Sequence, residues 1–232
     1  MAFPYLITVV AMGYSRQGVA IGLEFLALLA LQRDRLLQFL AWIALASTFH
    51  RTVLVLMILP ASTLSASLRF SQLIRIVLLV GAGYCLYTAV IAPDIDYYVS
   101  GYIEAEYQSQ GALIRVVLNL MPALAFLLYR SRFQLHPEMQ RLWSLMSLMT
   151  VASAVGLFSV ASSTAVDRLA LYLIPLQIFV GSRIPDARLF GIPPGTWKQL
   201  LVLFSLAVLL IWLLFAAHSQ YWLPYRNLLL PF

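Results

Sequence analysis

The stretch Leu73-Ile74-Arg75-Ile76-Val77-Leu78-Leu79-Val80-Gly81-Ala82-Gly83-Tyr84-Cys85-Leu86-Tyr87-Thr88-Ala89-Val90-Ile91-Ala92 carries a single charged side chain, Arg75, near its start. Roughly 20 apolar residues wound as a helix cover a hydrocarbon core of about 30 Å, so it reads as a membrane span. Pro93–Gln110 follows, a tyrosine-rich polar loop holding Asp94, Asp96, Glu104 and Glu106 with no basic residue. On either side the pattern repeats. Gln17–Leu31, Leu36–Ser65, Ala112–Tyr129, Leu142–Ala161, Leu169–Val180 and Leu200–Ala217 are apolar, and Met1–Gly13 has the length of a partial crossing. Ser182–Gly195, rich in Pro and Gly, reads as a loop. The expectation is an all-α, polytopic transmembrane bundle of about seven or eight membrane segments, forming one membrane-embedded unit over residues 1–232.

Composition agrees. Sixty-two per cent of residues are apolar, 10% are charged and the mean hydropathy is +0.88, whereas soluble domains carry about 25% charged residues. Lipid is the expected solvent and partner. The net charge of +6 does not indicate nucleic acid, because the basic residues are scattered between apolar segments. They orient the bundle instead. The lone Cys85 has no partner for an internal disulfide. Met1–Met12 lacks a basic leader region and a cleavage site, and a bacterial inner membrane fits.

Short cytoplasmic loops retain Lys and Arg. Arg33 and Arg35, then Arg69 and Arg75, then Arg130, Arg132 and Arg141, then Arg183, Arg188 and Lys198 mark four such turns. The acidic loop, residues 93–111, therefore faces outward. Alternation holds only if Leu36–Ser65 goes out and returns, which puts the break Ser47-Thr48-Phe49-His50-Arg51-Thr52 on the outer side. Arg16, Arg51, Arg115, Arg168 and Arg226 then violate the inside bias, each near an outer end. Charges beside membrane segments are costly and mark functional candidates; several on one side suggest an anion site.

Three stretches could carry chemistry. Gly13-Tyr14-Ser15-Arg16-Gln17 opens a helix, where an arginine fork and free backbone N–H groups suit phosphate oxygens; an interfacial arginine snorkelling to headgroups is the plainer reading. His50, in Phe49-His50-Arg51-Thr52, has the ordinary pKa of a base for a sugar hydroxyl, or caps a helix end. Asp167-Arg168-Leu169-Ala170-Leu171-Tyr172 sets Arg168 and Tyr172 four apart on one helix face, or is a cap beside an interfacial cation. Glu24 lies about 12 Å along its helix from Arg16 and is expected to be buried and paired behind the site. Gly18 and Gly22 read as a small-xxx-small packing face. Tyr97, Tyr98, Tyr102 and Tyr107 form an aromatic belt or a carbohydrate platform. His136 and His218 are far from His50 in sequence, so no metal is expected.

Taken in order, these elements resemble the EpsG-like branch of the Wzy-type O-antigen and exopolysaccharide polymerases. Tyr14-Ser15-Arg16-Gln17-Gly18-Val19-Ala20 is similar to that family's Arg-Gln-x-x-Ala helix start. Phe49-His50-Arg51-Thr52-Val53-Leu54 resembles its Phe-His-x-(Ser/Thr)-(Ala/Val)-Leu element. Asp167–Tyr172 is similar to its Arg-x-x-x-Tyr segment, and Tyr221-Trp222-Leu223-Pro224-Tyr225-Arg226-Asn227 resembles its tail.

The resemblance implies a GT-C-related, metal-independent glycosyltransferase without cofactors. Such an enzyme moves a growing chain from undecaprenyl diphosphate onto a hydroxyl of an incoming lipid-linked oligosaccharide, on the extracytoplasmic face. By carry-over, Arg16 and Arg168 hold the diphosphate, and His50 or Asp167 orients or deprotonates the acceptor. Tyr14, Gln17, Arg51, Tyr172, Tyr225 and Arg226 line the substrate. A chain-length regulator and a flippase are the implied partners. Family members are usually longer before the Arg-Gln helix, so upstream helices are expected to be missing here. A transporter or flippase for lipid-linked sugars is a rival reading. A non-catalytic subunit is another, and it requires Arg16 and Arg168 to share no cavity.

Overall fold

The computed structural model describes residues 3–64, 70–98, 100, 108–109, 111–160, 162–217 and 219–221. Among them every regular element is helical. Phe3–Ala11 is π-helical, and α1 (Ser15–Gln32) and α2 (Leu36–Phe49) follow. Past the break at His50, a 3-10 arm runs over Arg51–Thr63. Next come α3 (Phe70–Leu86), the short α4 (Ile95–Tyr98), α5 (Ala112–Tyr129), α6 (Pro137–Ser159), α7 (Ser163–Ala170), α8 (Ile174–Ala187) and α9 (Pro194–Phe215).

Among the described residues five helical stretches are long and apolar enough to cross a membrane: Phe70–Asp94, Ala112–Phe133, Pro137–Ser159, Ser163–Ala187 and Pro194–Phe215. The expected seven or eight segments counted α1 and both arms of the hairpin as well. α1 has 18 residues but is diluted by Arg16, Gln17, Glu24 and Gln32. α2 and the 3-10 arm have 14 and 13 residues and fall short of a lone crossing. The loop expected over Ser182–Gly195 is also shorter than its Pro and Gly content suggests. α8 continues through Pro185 to Ala187, because one proline late in a helix removes a single N–H and leaves the earlier turns intact.

Polar pairs fix which ends lie together. Asp34, in the turn between α1 and α2, accepts from Arg75 of α3 at 2.5 Å, and Glu138 at the start of α6 adds its attraction to the same guanidinium. At the far end of α3, Asp94 pairs with Arg51 beside the helix break. α2 therefore runs from the first end to the second. The 3-10 arm returns, because its Ser62 carbonyl accepts from Arg141 Nε of α6 at 2.9 Å. The stretch Leu36–Thr63 is thus a hairpin whose tip is His50-Arg51.

The buried centre gathers Ile21 and Leu28 of α1, Phe39 and Ile43 of α2, Leu56 of the arm, Phe126, Met146 and Leu176. Trp143 and Phe179 stack there with centroids 3.8 Å apart. α3 and α9 bury no residue at all. Their all-round apolar surfaces, with Val77 69% and Val202 67% exposed, suit lipid, as a helix hydrophobic on every side must be surrounded by something apolar.

Gly18 is needed for one close approach. A Cβ there would come within 2.8 Å of the Ala11 Cα, whereas nothing stands within 4 Å of a Cβ at Gly22. Half of the expected small-residue face is a real contact, made with the preceding π-helical turn.

Candidate functional site

Pro175 sets the geometry of the site. It begins α8 without an N–H, so the span Ser163–Ala187 cannot continue as an unbroken α-helix, and it tightens to 3-10 winding over Leu171–Leu173. Backbone carbonyls near such a change need other donors. Gln17 Nε2 of α1 donates to Arg168 O at 2.7 Å, and Asn119 Nδ2 of α5 donates to Ala170 O at 2.8 Å. Gln177 in turn donates to Asn119 Oδ1 at 2.5 Å. Buried side-chain amides thus tie α1, α5 and α8 to the kink, and the kink presents Asp167, Arg168 and Tyr172.

Tyr172 is fully buried. Its hydroxyl lies 2.7 Å from His50 Nδ1, and Thr52 Oγ1 lies 2.8 Å from the same nitrogen. A hydroxyl can donate or accept, so these two groups can hold Nδ1 in either tautomer. His50 is the extended residue between the hairpin arms, outside both of them. Burial first, and then the positive charges of Arg168 and Arg16, lower its pKa from 6.5 to about 4. Both guanidiniums therefore act on one imidazole. Arg168 also lies over the Tyr14 ring, 4.8 Å from its centroid, a cation–π contact that orients it. Arg16 is exposed and Arg168 partly buried.

Beside this group opens a cavity of about 980 Å³. Tyr14, Arg115, Asp167 and Arg168 form its polar part, and α9 lines the rest with Phe204, Val208, Ile211 and Phe215. At its wall Arg115 grips Asp167 through both oxygens, with Nε to Oδ1 and Nη2 to Oδ2 each 2.5 Å. Ser109 Oγ accepts from Arg115 Nη2 at 2.7 Å and donates to Asp167 Oδ2 at 2.9 Å. The pair is well shielded, with 13% and 5% of the two side chains exposed.

The structure brings Tyr14, Gln17, His50, Asp167, Arg168 and Tyr172 into one neighbourhood, with Arg16 in electrostatic reach. Arg168 lines the cavity, whereas Arg16 and His50 are not on its wall, so this cavity does not meet the expectation that Arg16 and Arg168 share one; the two are linked through the field both exert on His50. Arg51 lies next to His50 in sequence, but its guanidinium is engaged by Asp94. Glu24 is buried as expected, yet neither oxygen has a hydrogen-bond partner among the described residues. Tyr225 and Arg226 lie outside the described residues, as do His218 and much of the acidic loop.

The sequence flagged Arg115 as an outlying cation and Thr52 as part of the His50 motif but gave neither a role, and Ser109 and Asn119 went unnoticed. Arg115 and Asp167 lie 52 positions apart; a basic residue at one outer helix end and an acidic one at another were the only available signal. The described residues contain no cluster of His, Cys, Asp and Glu able to hold a metal.

Comparisons with curated proteins and with solved structures each found no match. The EpsG family's own sequence pattern matches residues 1–227, nearly all of the 232-residue chain, and the chain therefore belongs to the EpsG family.

Proposed function

We propose that this protein, a membrane polysaccharide polymerase of the EpsG type, transfers a growing glycan from a polyprenyl diphosphate to a hydroxyl of a second lipid-linked unit. One observation carries the reading. The cavity joins a cationic, hydrogen-bonding mouth at Arg168 to a long apolar wall on α9, the two chemistries that a lipid diphosphate presents together.

In this reading Arg168, steered by Tyr14, takes the diphosphate with a planar fork of donors, and Arg16 adds a second charge nearby. The prenyl chain follows Phe204, Val208 and Ile211. His50 is the base. With Nδ1 held by Tyr172 and Thr52, Nε2 is left for the acceptor hydroxyl. The acceptor oxygen forms a bond to the anomeric carbon, the bond from that carbon to the diphosphate oxygen breaks, and the proton passes to Nε2. The leaving diphosphate keeps the electron pair, and Arg168 stabilises the charge as it develops. Asp167 is a poor candidate for the base, because both its oxygens already accept from Arg115. We assign it to holding Arg115 in place. We place the reaction on the extracytoplasmic face of a bacterial inner membrane, since the site shares an end with the acidic Asp94 and Asp96.

The test is complementation of a strain deleted for the gene, with glycan size read from a gel ladder. Arg168→Ala and His50→Ala should remove long chains while single capped units persist, with membrane levels of the protein unchanged. Losing one donor to a developing charge slows turnover by about 10²–10³. Loss of the capped units as well would favour a transporter, and an unchanged ladder would refute the assignment.

A further inference from the structure

At the opposite end of the bundle lies a second cavity, of about 790 Å³, between the end of α5 and the link from α8 to α9. Two arginines from separate segments, Arg132 and Arg188, line it, and no acidic residue does. Neither guanidinium has a partner among the described residues, whereas Arg51, Arg75 and Arg115 are each paired.

The backbone here is unusual. Arg188, Phe190 and Gly191 all have positive φ, at 46°, 57° and 70°. Glycine normally fills the left-handed position that ends a helix, and side chains occupy it only against a steric penalty. Such outliers gather at ligand clamps and other functional sites. The left-handed turn puts Arg188 on the cavity wall and stands Phe190 against Tyr129, with ring centroids 5.3 Å apart. Trp197 Nε1 donates to Leu189 O at 3.1 Å and pins the start of α9 beside it. Retention of positive loops requires only charge. It does not require two unpaired cations converging on one hollow.

We propose that this cavity is a binding site for the phosphate of an anionic phospholipid. The depth suits a headgroup, because the hollow lies where two membrane-length helices, α5 and α9, end and begin. Tyr129 and Trp197 are side chains typical of that level, and basic pockets between membrane helices recognise anionic headgroups. The acyl chains would leave past Phe190, which is 69% exposed. This site is independent of the polymerase reading.

The test uses the full-length protein, purified in mild detergent, delipidated and examined by native mass spectrometry. Dihexanoyl phosphatidylglycerol should bind about tenfold more tightly than the phosphatidylcholine analogue, and more tightly than glycerol phosphate or inorganic phosphate. Arg132→Gln and Arg188→Gly should each weaken the anionic lipid about fivefold. Glycine relieves the left-handed strain, so Arg188→Gly keeps the fold while removing the cation. The control pairs Arg33→Gln with Arg35→Gln, cations of the same end outside the cavity, and should change nothing. Equal loss in the control would overturn the site in favour of a diffuse positive field. Equal binding of glycerol phosphate would overturn the lipid as its occupant.

Discussion

The sharpest energetic expectation concerns Arg115 and Asp167. Two unit charges about 4 Å apart attract by about 4 kcal/mol at an effective dielectric near 20, and here the contact is closer, doubled and shielded, with 13% and 5% side-chain exposure. Removing one partner from such a pair leaves a stranded charge and costs about 3–5 kcal/mol. Asp167→Ala leaves the Arg115 guanidinium with uncharged partners such as Ser109 and Tyr5, and Arg115→Ala leaves Asp167 with the Ser109 hydroxyl. Each should lower stability by that amount, measured by denaturant titration in mixed micelles. The double variant Arg115→Met with Asp167→Leu removes both charges and fills the space, so it should lie within about 1–2 kcal/mol of the parent. The single variants Arg115→Met and Asp167→Leu, each stranding the opposite charge, close the cycle, and the coupling energy should be at least about 4 kcal/mol. Additive losses, or an Asp167→Ala cost below about 1 kcal/mol, would show that the pair is solvated and that Asp167 is free for other work.

Two further expectations follow from the same geometry. Burial and two arginines hold the His50 pKa near 4, so the imidazole is neutral at pH 7 and protonates only as pH falls through about 4. The acid limb of kcat/KM, which reports the free enzyme, should sit near there and shift upward in Arg168→Gln; an unmoved limb would remove His50 as the base. Gly18→Ala should destabilise by about 1–3 kcal/mol, because its Cβ meets the Ala11 backbone at 2.8 Å, while Gly22→Ala, with open space, should be neutral or gain up to about 1 kcal/mol from helix propensity. Matching thermal shifts for the two alanines would refute the close approach at Gly18.

Features that depend on local sequence were readable in advance. The apolar run Leu73–Ala92 announced its own solvent, and the polar interruption at Ser47–Thr52 announced the hairpin tip. The four-residue spacing of Arg168 and Tyr172 is interrupted by a 3-10 turn at Leu171–Leu173, and Arg168 lines the cavity while Tyr172 is buried against His50. What escaped reading was pairing across the bundle. Nothing near Arg115 in sequence indicates Asp167, and nothing in α9 distinguishes a helix that walls a cavity from one that only meets lipid. Glu24 resisted for a related reason: a carboxyl buried among apolar helices implies a partner, yet none bonds it among the described residues. Seven or eight spans are not confirmed, since five stretches among the described residues have the length and apolarity of a crossing and the hairpin arms are shorter apolar helices.

A pKa near 4 is low for a base, and in the proposed mechanism linkage to the donor offsets part of that depression. Arg16 and Arg168 depress the basicity of the imidazole only while their charge is uncompensated. A diphosphate bound at Arg168, within reach of Arg16, would offset that field and raise the pKa by the arginines' share, while burial, the larger cause, would keep it below the ordinary value. By reciprocity, a protonated His50 strengthens the grip on the diphosphate by the same factor. The free energy relating the two is spent in the transition state, where the imidazole gains its proton as the leaving diphosphate gains its charge. Before the donor binds, the base is weak. After it binds, the acceptor hydroxyl would meet a base strengthened by the donor, which in the proposed mechanism ties deprotonation to the presence of a leaving group.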